Sequence, residues 1–322
     1  MLIKGGILKG IHENIEYEAV DISPQDEEVI VDIKASALNR RDLWIQEGKY
    51  AKIKLPCILG SDGAGEYHGE KVVIYPAFRW GIDPTHQSNE FEVLGMPHHG
   101  CFAEKVAIHQ SNLFAIPSHL TFTEAAAFPL AGLTAWRALM TQGKAQKGQK
   151  ILISGVGGGV ASFVLQFAIV QDMEVYVTSG TPEKIKKSIE LGASGGVNYK
   201  DIDAFEQLKK MAGGFDVVID SAGGPDFHQF VKLCNPGATI VFYGGTLGNI
   251  DNLSPQIIFW KQLTIKGSTM GTMEEFSAML DFISRHKIVP LIDKVFPLSE
   301  VNQAFEYMKK GSHFGKIVLE HL

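Results

Sequence analysis

From residue 151 to residue 266, short apolar runs alternate with segments whose apolar residues recur at three- and four-residue spacing. The runs at 151–154, 174–179, 196–199, 215–220, 239–243 and 263–266 predict strands, and 205–211 and 227–233 predict helices among the segments between them. Six strands joined by helical crossovers describe a doubly wound parallel sheet. The N-terminal third reads differently, with irregular short strands such as 28–35 and 70–76 broken throughout by Gly and Pro. The tail after about residue 268 predicts a helix at 273–286, a strand at 292–296, a helix at 299–310 and a strand at 316–320.

The sharpest local pattern opens the alternating region. Ile151, Leu152 and Ile153 lead into Gly155, Gly157, Gly158 and Gly159, and Val160, Phe163, Val164, Phe167 and Ala168 then repeat at helical spacing. A strand, a glycine turn and a helix bring unpaired N–H groups and the positive end of a helix dipole against a pyrophosphate. Val160 and Ala161 stand where the fingerprint's third glycine falls, and Ala161 is small enough to keep helix and sheet close. The pattern predicts a dinucleotide site.

A NAD-preferring site carries Asp or Glu at the end of the second strand, where it grips the ribose 2′-hydroxyl. Thr178, Ser179 and Gly180 hold that place. No carboxylate there opposes a 2′-phosphate, Ser179 has a hydroxyl to donate, and Lys184 on the next predicted helix is either a nearby charge or an ordinary surface lysine. The expected cofactor is NADP (NADPH). Thr181 before Pro182 starts that helix and Gly192 stops it.

Composition supports a two-domain enzyme. The chain has 322 residues, 45% hydrophobic and 20% charged, long for one core and natural for two. A net charge of −6 without a basic run argues against nucleic acid and acidic membrane surfaces as partners. The start, MLIKGGILKG, lacks an apolar signal core, and no apolar stretch reaches the length of a membrane span. Cys57, Cys101 and Cys234, odd in number and far apart, point to reduced thiols and a cytoplasmic setting.

Several motifs in order resemble the medium-chain dehydrogenase/reductase superfamily: SALNRRDLWIQEGKY (36–50), LPCILGSDGAGEY (55–67), AAFPLAGLTAWRAL (126–139), the glycine turn, FDVVIDSAGG (215–224) and GKIVLEHL (315–322). The resemblance implies an α/β fold in which residues 1–120 and 269–322 form a GroES-like, β-rich catalytic domain. Residues 121–268 would form a Rossmann domain with a six-stranded sheet. It also implies a homodimer in which the sheets pair through their last strands, around 263–270.

The superfamily divides on zinc, which one branch holds through a Cys, a His and a second Cys. Asn39, Ser61 and Leu130 stand at those three positions, and the region 78–103 has only Cys101 where a structural-zinc lobe needs four cysteines. His86, His98, His99 and Cys101 bunch in one Gly/Pro-rich loop, either as solvated side chains or as a separate metal site. The branch this chain resembles is the zinc-independent one of quinone oxidoreductases and enone reductases. There the substrate is a small-molecule quinone or electrophilic carbonyl, and the protein supplies alignment and a donor for the developing oxygen charge.

By position in that branch, Asn39 contacts the nicotinamide ribose, Tyr50 offers its hydroxyl to the substrate and Trp44 walls the pocket, although both aromatics also suit plain packing. Arg40 and Arg41 replace the small or apolar residues common there, making a more cationic pocket unless Arg41 pairs with Asp42 or Asp62. Thr134 matches a residue near the carboxamide and Tyr199 one near the adenosine phosphate. Ser221, Gly223, Gly244, Gly245 and Thr246 fall at strand ends, where open sheets place ligands. Lys316 either reaches a phosphate or lies on the surface. The loop 77–97, with Phe78, Trp80 and Phe91, is a lid or a loop without function.

Three functions follow. The first is metal-free, NADPH-dependent reduction of quinones or activated alkenes. The second is a zinc-type alcohol dehydrogenase, disfavoured by the changed ligand positions. The third is an NADPH-binding protein with a non-catalytic role, since members of this branch serve as lens proteins or bind RNA.

Overall fold

The computed structural model describes residues 1–321. The chain divides into two compact units, Met1–Leu133 with Thr272–Leu322, and Thr134–Gly271. The divisions fall after 133 and 271, so the stretch 121–133, expected with the dinucleotide domain, packs with the first unit.

The second unit is a doubly wound α/β domain. Its six parallel strands run in the order Gly195–Asn198, Glu174–Ser179, Lys150–Ile153, Phe215–Asp220, Cys234–Phe242 and Thr264–Gly267. The central strands are almost wholly buried, with apolar runs at 151–153 and 217–219, as expected where helices cover both faces. The helix Gly159–Val170 buries Phe163 and Phe167 and sets the latter edge-on to Trp136, with centroids 5.9 Å apart. The chain order of the strands reverses beside Lys150–Ile153, the position at which open α/β sheets bind ligands.

The first unit is β-rich. Its largest sheet places Glu28–Ala37 between Asp62–Tyr67 and Lys316–Glu320, and Ile292–Pro297 pairs parallel to the latter. A three-stranded sheet centres on Leu2–Leu8. The helix Met273–His286 buries Phe276, whose ring meets Tyr75 at 5.4 Å, Phe114 at 5.1 Å and Phe128 at 6.3 Å between centroids. The loop 77–97 contains a small ribbon, Ala77–Phe78 against Glu92–Val93, with Trp80 buried and edge-on to Phe91.

Candidate active site

The strand Asp62–Tyr67 begins at the point where Glu28–Ala37 ends, because the antiparallel register sets Ala37 opposite Asp62. Asn39 follows two residues later, as the residue before the helix Arg40–Gln46. The Asp42 carboxylate, in the first turn of that helix, accepts from the Asn39 backbone N–H at 2.7 Å, which fixes where the helix starts. Ser61 and Asp62 are fully buried and Asn39 nearly so.

These residues form a closed polar cluster around Lys316. The Lys316 ammonium donates to Leu38 O at 2.8 Å, Asn39 Oδ1 at 2.7 Å and Asp62 Oδ2 at 3.0 Å. The Asn39 amide donates to Asp62 Oδ2 at 2.9 Å and Ser61 Oγ at 3.3 Å, while Leu130 N donates to Asp62 Oδ1 at 2.8 Å. An ammonium has three donors, and all three are used. Lys316 is 2% exposed, so the sequence-based expectation of a phosphate-reaching or surface lysine is corrected: its donors are spent inside the protein. Asn39 is corrected in part. Both its amide hydrogens are committed to this cluster rather than held ready for a ribose.

Asp42 is the least compensated member. Its Oδ1 is buried without a hydrogen-bond partner and lies 4.0 Å from Arg41. Burial pushes its carboxyl up to about 6, against the pull of Arg41 and of the Asn39 N–H. Arg41 is also buried and spends its guanidinium on Leu94 O at 2.8 Å and Met96 O at 3.2 Å. Its Cζ lies 5.0 Å from the centroid of the half-buried Tyr50 ring, and its Nε is 3.5 Å from the phenol oxygen. That oxygen faces a donor, so its own hydrogen is left to donate elsewhere. Trp44 is half-buried on the same helix, and of the two arginines Arg40 is exposed and Arg41 buried.

The bunched histidines do not converge. His98 pairs with Glu92 at 2.8 Å, His99 Nδ1 accepts from Ile58 N at 3.0 Å, Cys101 is fully buried and the His86 side chain is largely exposed. Among the described residues, no three His, Cys, Asp or Glu side chains gather in a group able to hold a metal ion.

In the second unit the glycine turn follows Lys150–Ile153. Gly155 has φ +62°, and a Cβ there would stand 2.9 Å from Ser221 Oγ, so a side chain would meet both backbone strain and contact. Gly155 N donates to Thr178 Oγ1 and Val156 N to Thr178 O, tying the turn to the neighbouring strand end. Gly158 caps the helix Gly159–Val170, leaving the start of a twelve-residue helix without a side-chain cap. The Asp220 carboxylate, which sequence reasoning missed, braces this edge by accepting from Ser154 Oγ and from Gly223 N at 2.7 Å. Burial pushes it up while these bonds pull it down. A Cβ on Gly244 would come within 2.3 Å of Ser221 O, whereas Gly245 and Thr246 are exposed in the loop beyond. Thr134 is buried on the helix Pro129–Trp136.

At the end of Glu174–Ser179, Lys184 and Tyr199 each stand against the backbone of a glycine. Lys184 lies across the turn with Nζ 2.8 Å from where a Cβ on Gly157 would be, and the Tyr199 hydroxyl stands 2.5 Å from the same point on Gly180. Ser179, 3% exposed, lies between these glycines in the chain. A small, cationic, hydroxyl-bearing corner beside a helix start fits a dinucleotide phosphate.

Residues 159–285 match the family model for zinc-binding dehydrogenases, and 25–118 match the model for the alcohol dehydrogenase GroES-like domain. The chain is 34% identical to YogA of Leptosphaeria maculans, a zinc-type alcohol dehydrogenase-like protein, over 92% of each chain. It is 29% identical to the quinone oxidoreductase of Mus musculus, over 95% of this chain and 92% of that one. A solved structure of an NAD-dependent alcohol dehydrogenase superposes with a TM-score of 0.91 at 30% identity, covering 98% of this chain and 99% of the other.

Proposed function

The chain is an oxidoreductase of the medium-chain dehydrogenase/reductase superfamily with a nicotinamide-binding Rossmann domain, and on that premise we propose that it passes hydride from NADPH to a quinone or an α,β-unsaturated carbonyl without a metal. The observation that carries this reading is the cluster at the zinc-ligand positions. Asn39, Ser61 and Leu130 offer a metal one amide oxygen already accepting from an ammonium, one hydroxyl and one hydrocarbon. None is a thiolate or imidazole, so zinc does not fit this donor set.

Bound reduced nicotinamide supplies the hydride, and acceptors that are already electrophilic do not need a Lewis acid. The glycine turn from Gly155 to Gly159 and the helix start behind it hold the pyrophosphate, while Ser221 and Gly244 border the same sheet edge. Ser179, Lys184 and Tyr199 favour a 2′-phosphate, since no carboxylate closes the second strand. One structural relative is named as NAD-dependent, so this corner is where the two preferences are to be told apart. Tyr50 donates its phenolic hydrogen to the substrate oxygen as charge develops there, with Arg41 against the phenol oxygen and Trp44 as an apolar wall.

The working form is a homodimer. Thr264–Gly267 is an edge strand, and Phe259 and Trp260 just before it are 65% and 83% exposed, an apolar surface that a second copy would cover. The partner in solution is a small molecule rather than nucleic acid or membrane: the chain is acidic, and no helix among the described residues is long and apolar enough to cross a bilayer. Three free, buried cysteines suit the reducing cytoplasm.

The test is NADPH consumption against a panel of quinones, enones and aldehydes, and NADP reduction with alcohols, with zinc measured by elemental analysis before and after chelation. Turnover of quinones or enones, indifferent to chelators, is expected. One zinc per chain, lost together with alcohol-oxidising activity, overturns the proposal.

A further inference from the structure

Arg41 is buried, 6% exposed, yet every hydrogen bond it makes goes to an uncharged oxygen. The Asp42 carboxylate stands 4.0 Å away, beyond hydrogen-bonding reach. We propose that Arg41 is a positioning residue of the reaction: it sets the direction of the Tyr50 hydroxyl by tying it to the backbone at Leu94 and Met96. The inference rests on the reading of Tyr50 as donor to the substrate oxygen and deepens it.

The guanidinium is held at three points. One terminal nitrogen donates to Leu94 O at 2.8 Å, the other to Met96 O at 3.2 Å, and Nε faces the Tyr50 oxygen at 3.5 Å. The group is planar and its N–H directions are fixed, so pinning two of its nitrogens aims the third. The contact with the phenol is long, and its direction comes from the two pins. Tyr50 packs against the apolar core of the first unit, which places the ring but not the hydroxyl hydrogen. That hydrogen can turn to either side of the ring, and a donor on one side selects the other.

The pins themselves sit on firm backbone. Leu94 and Met96 are 0% and 3% exposed and flank Gly95, whose φ is +83°. A Cβ on Gly95 would come within 2.8 Å of the Gly60 backbone, so the two chains lie directly on each other. Leu94 N donates to Pro76 O at 2.9 Å, Gly100 N to Ile58 O at 2.7 Å and Cys101 N to Gly60 O at 2.8 Å, which close the layer on both sides. Through Arg41 the phenol takes its bearing from this layer.

The deciding experiment is a double-mutant cycle in the full-length protein. Arg41→Met removes the donors, Arg41→Lys keeps the charge and loses the fork, and each is made with Tyr50 and with Tyr50→Phe. Folding is checked by circular dichroism and NADPH binding, and the Lys variant carries the test where the Met variant does not fold. With the best acceptor of the panel above, either change at Arg41 should lower kcat by ~10–100-fold when Tyr50 is present. In the Tyr50→Phe background the same change should cost less than about twofold, because there is no hydroxyl left to aim. Equal losses in both backgrounds make Arg41 a structural brace and overturn the proposal. So does full turnover by Arg41→Lys, which would show that charge suffices without the fork.

A second measurement reads the phenol without turnover. The chain has eight tyrosines, and carbon-13 at their Cζ atoms gives resonances that follow hydrogen bonding at the phenol oxygen. The Tyr50 resonance is the one missing from Tyr50→Phe. It should move in both Arg41 variants while the others stay. An unmoved Tyr50 resonance overturns the proposal whatever the rates. Tyr50→Phe turning over at the full rate overturns the reading of Tyr50 as donor, and this proposal with it. A slow Tyr50→Phe beside an unmoved resonance or equal Arg41 losses overturns the proposal alone.

Discussion

Replacing Ser179 by Asp should invert the cofactor preference. Ser179 ends the strand Glu174–Ser179, is 3% exposed, and lies beside the corner framed by Lys184 and Tyr199. A carboxylate there would meet a 2′-phosphate at close range. Two unit charges ~4 Å apart repel by roughly 4 kcal/mol at an effective dielectric of about 20. Tyr199 is 45% exposed, so water and salt reach this corner and remove part of that cost. About 1.5–3 kcal/mol remains, a loss of NADPH affinity of roughly 10–100-fold. NADH has no phosphate to repel and gains an acceptor for its 2′-hydroxyl, so its affinity should hold or rise. The unaltered protein should bind NADPH at least about tenfold tighter than NADH. Fluorescence titration of both cofactors against both proteins at one ionic strength measures all four constants. Equal constants in the unaltered protein, or a variant that loses both cofactors equally, would refute the reasoning.

Tyr50→Phe should lower kcat by ~10–1000-fold toward quinones or enones and leave the NADPH dissociation constant unchanged, because the lost bond strengthens only in the transition state; full turnover makes the tyrosine a wall. Asp42 titrates in the folded protein near 6, above its usual 3.8, so the fold favours its protonated form. Its contribution is therefore fully present below about pH 4 and is lost as pH rises through about 6, by roughly 3 kcal/mol at most. Urea unfolding from pH 4 to 7 should show this loss in the unaltered protein and a flatter profile in Asp42→Asn. Phe276→Ala removes the ring that Tyr75, Phe114 and Phe128 surround and should cost about 3–5 kcal/mol of first-unit stability by the same assay.

The parallel sheet was largely readable from the chain. Glu174–Ser179, Phe215–Asp220, Phe227–Leu233, Met273–His286 and Lys316–Glu320 have the boundaries that apolar spacing and caps predict. The miss at Cys234–Phe242 has a local cause. Asn235, Pro236 and Gly237 spell a turn, yet they lie inside the strand, where Gly237 takes φ +78° and the pairing with Phe215–Asp220 slips register. The ribbon within 77–97 was hidden because two-residue strands carry no period. The helix expected at 299 begins at Val301, after a tight turn at Leu298–Glu300. At the site, the glycine turn and the Ser179 corner were legible because strand, turn and helix are contiguous. The Lys316 cluster was not, since its acceptors lie more than 250 positions away, as with Asp62 at 254, and nothing local tells a buried lysine from a surface one.

The placing of Lys316–Glu320 bears on how the molecule is made. That strand lies between Glu28–Ala37 and Ile292–Pro297, so it is an interior rung of its sheet. On a ribosome the rung emerges long after the strand it must join. Residues 134–271 form one uninterrupted stretch and can close while synthesis continues. In the β-rich unit Glu28–Ala37 can already pair with Asp62–Tyr67 and Lys105–His109, but its edge at 35–37 stays open until Lys316–Glu320 arrives. Chaperones should therefore engage its nascent chains chiefly at that open edge.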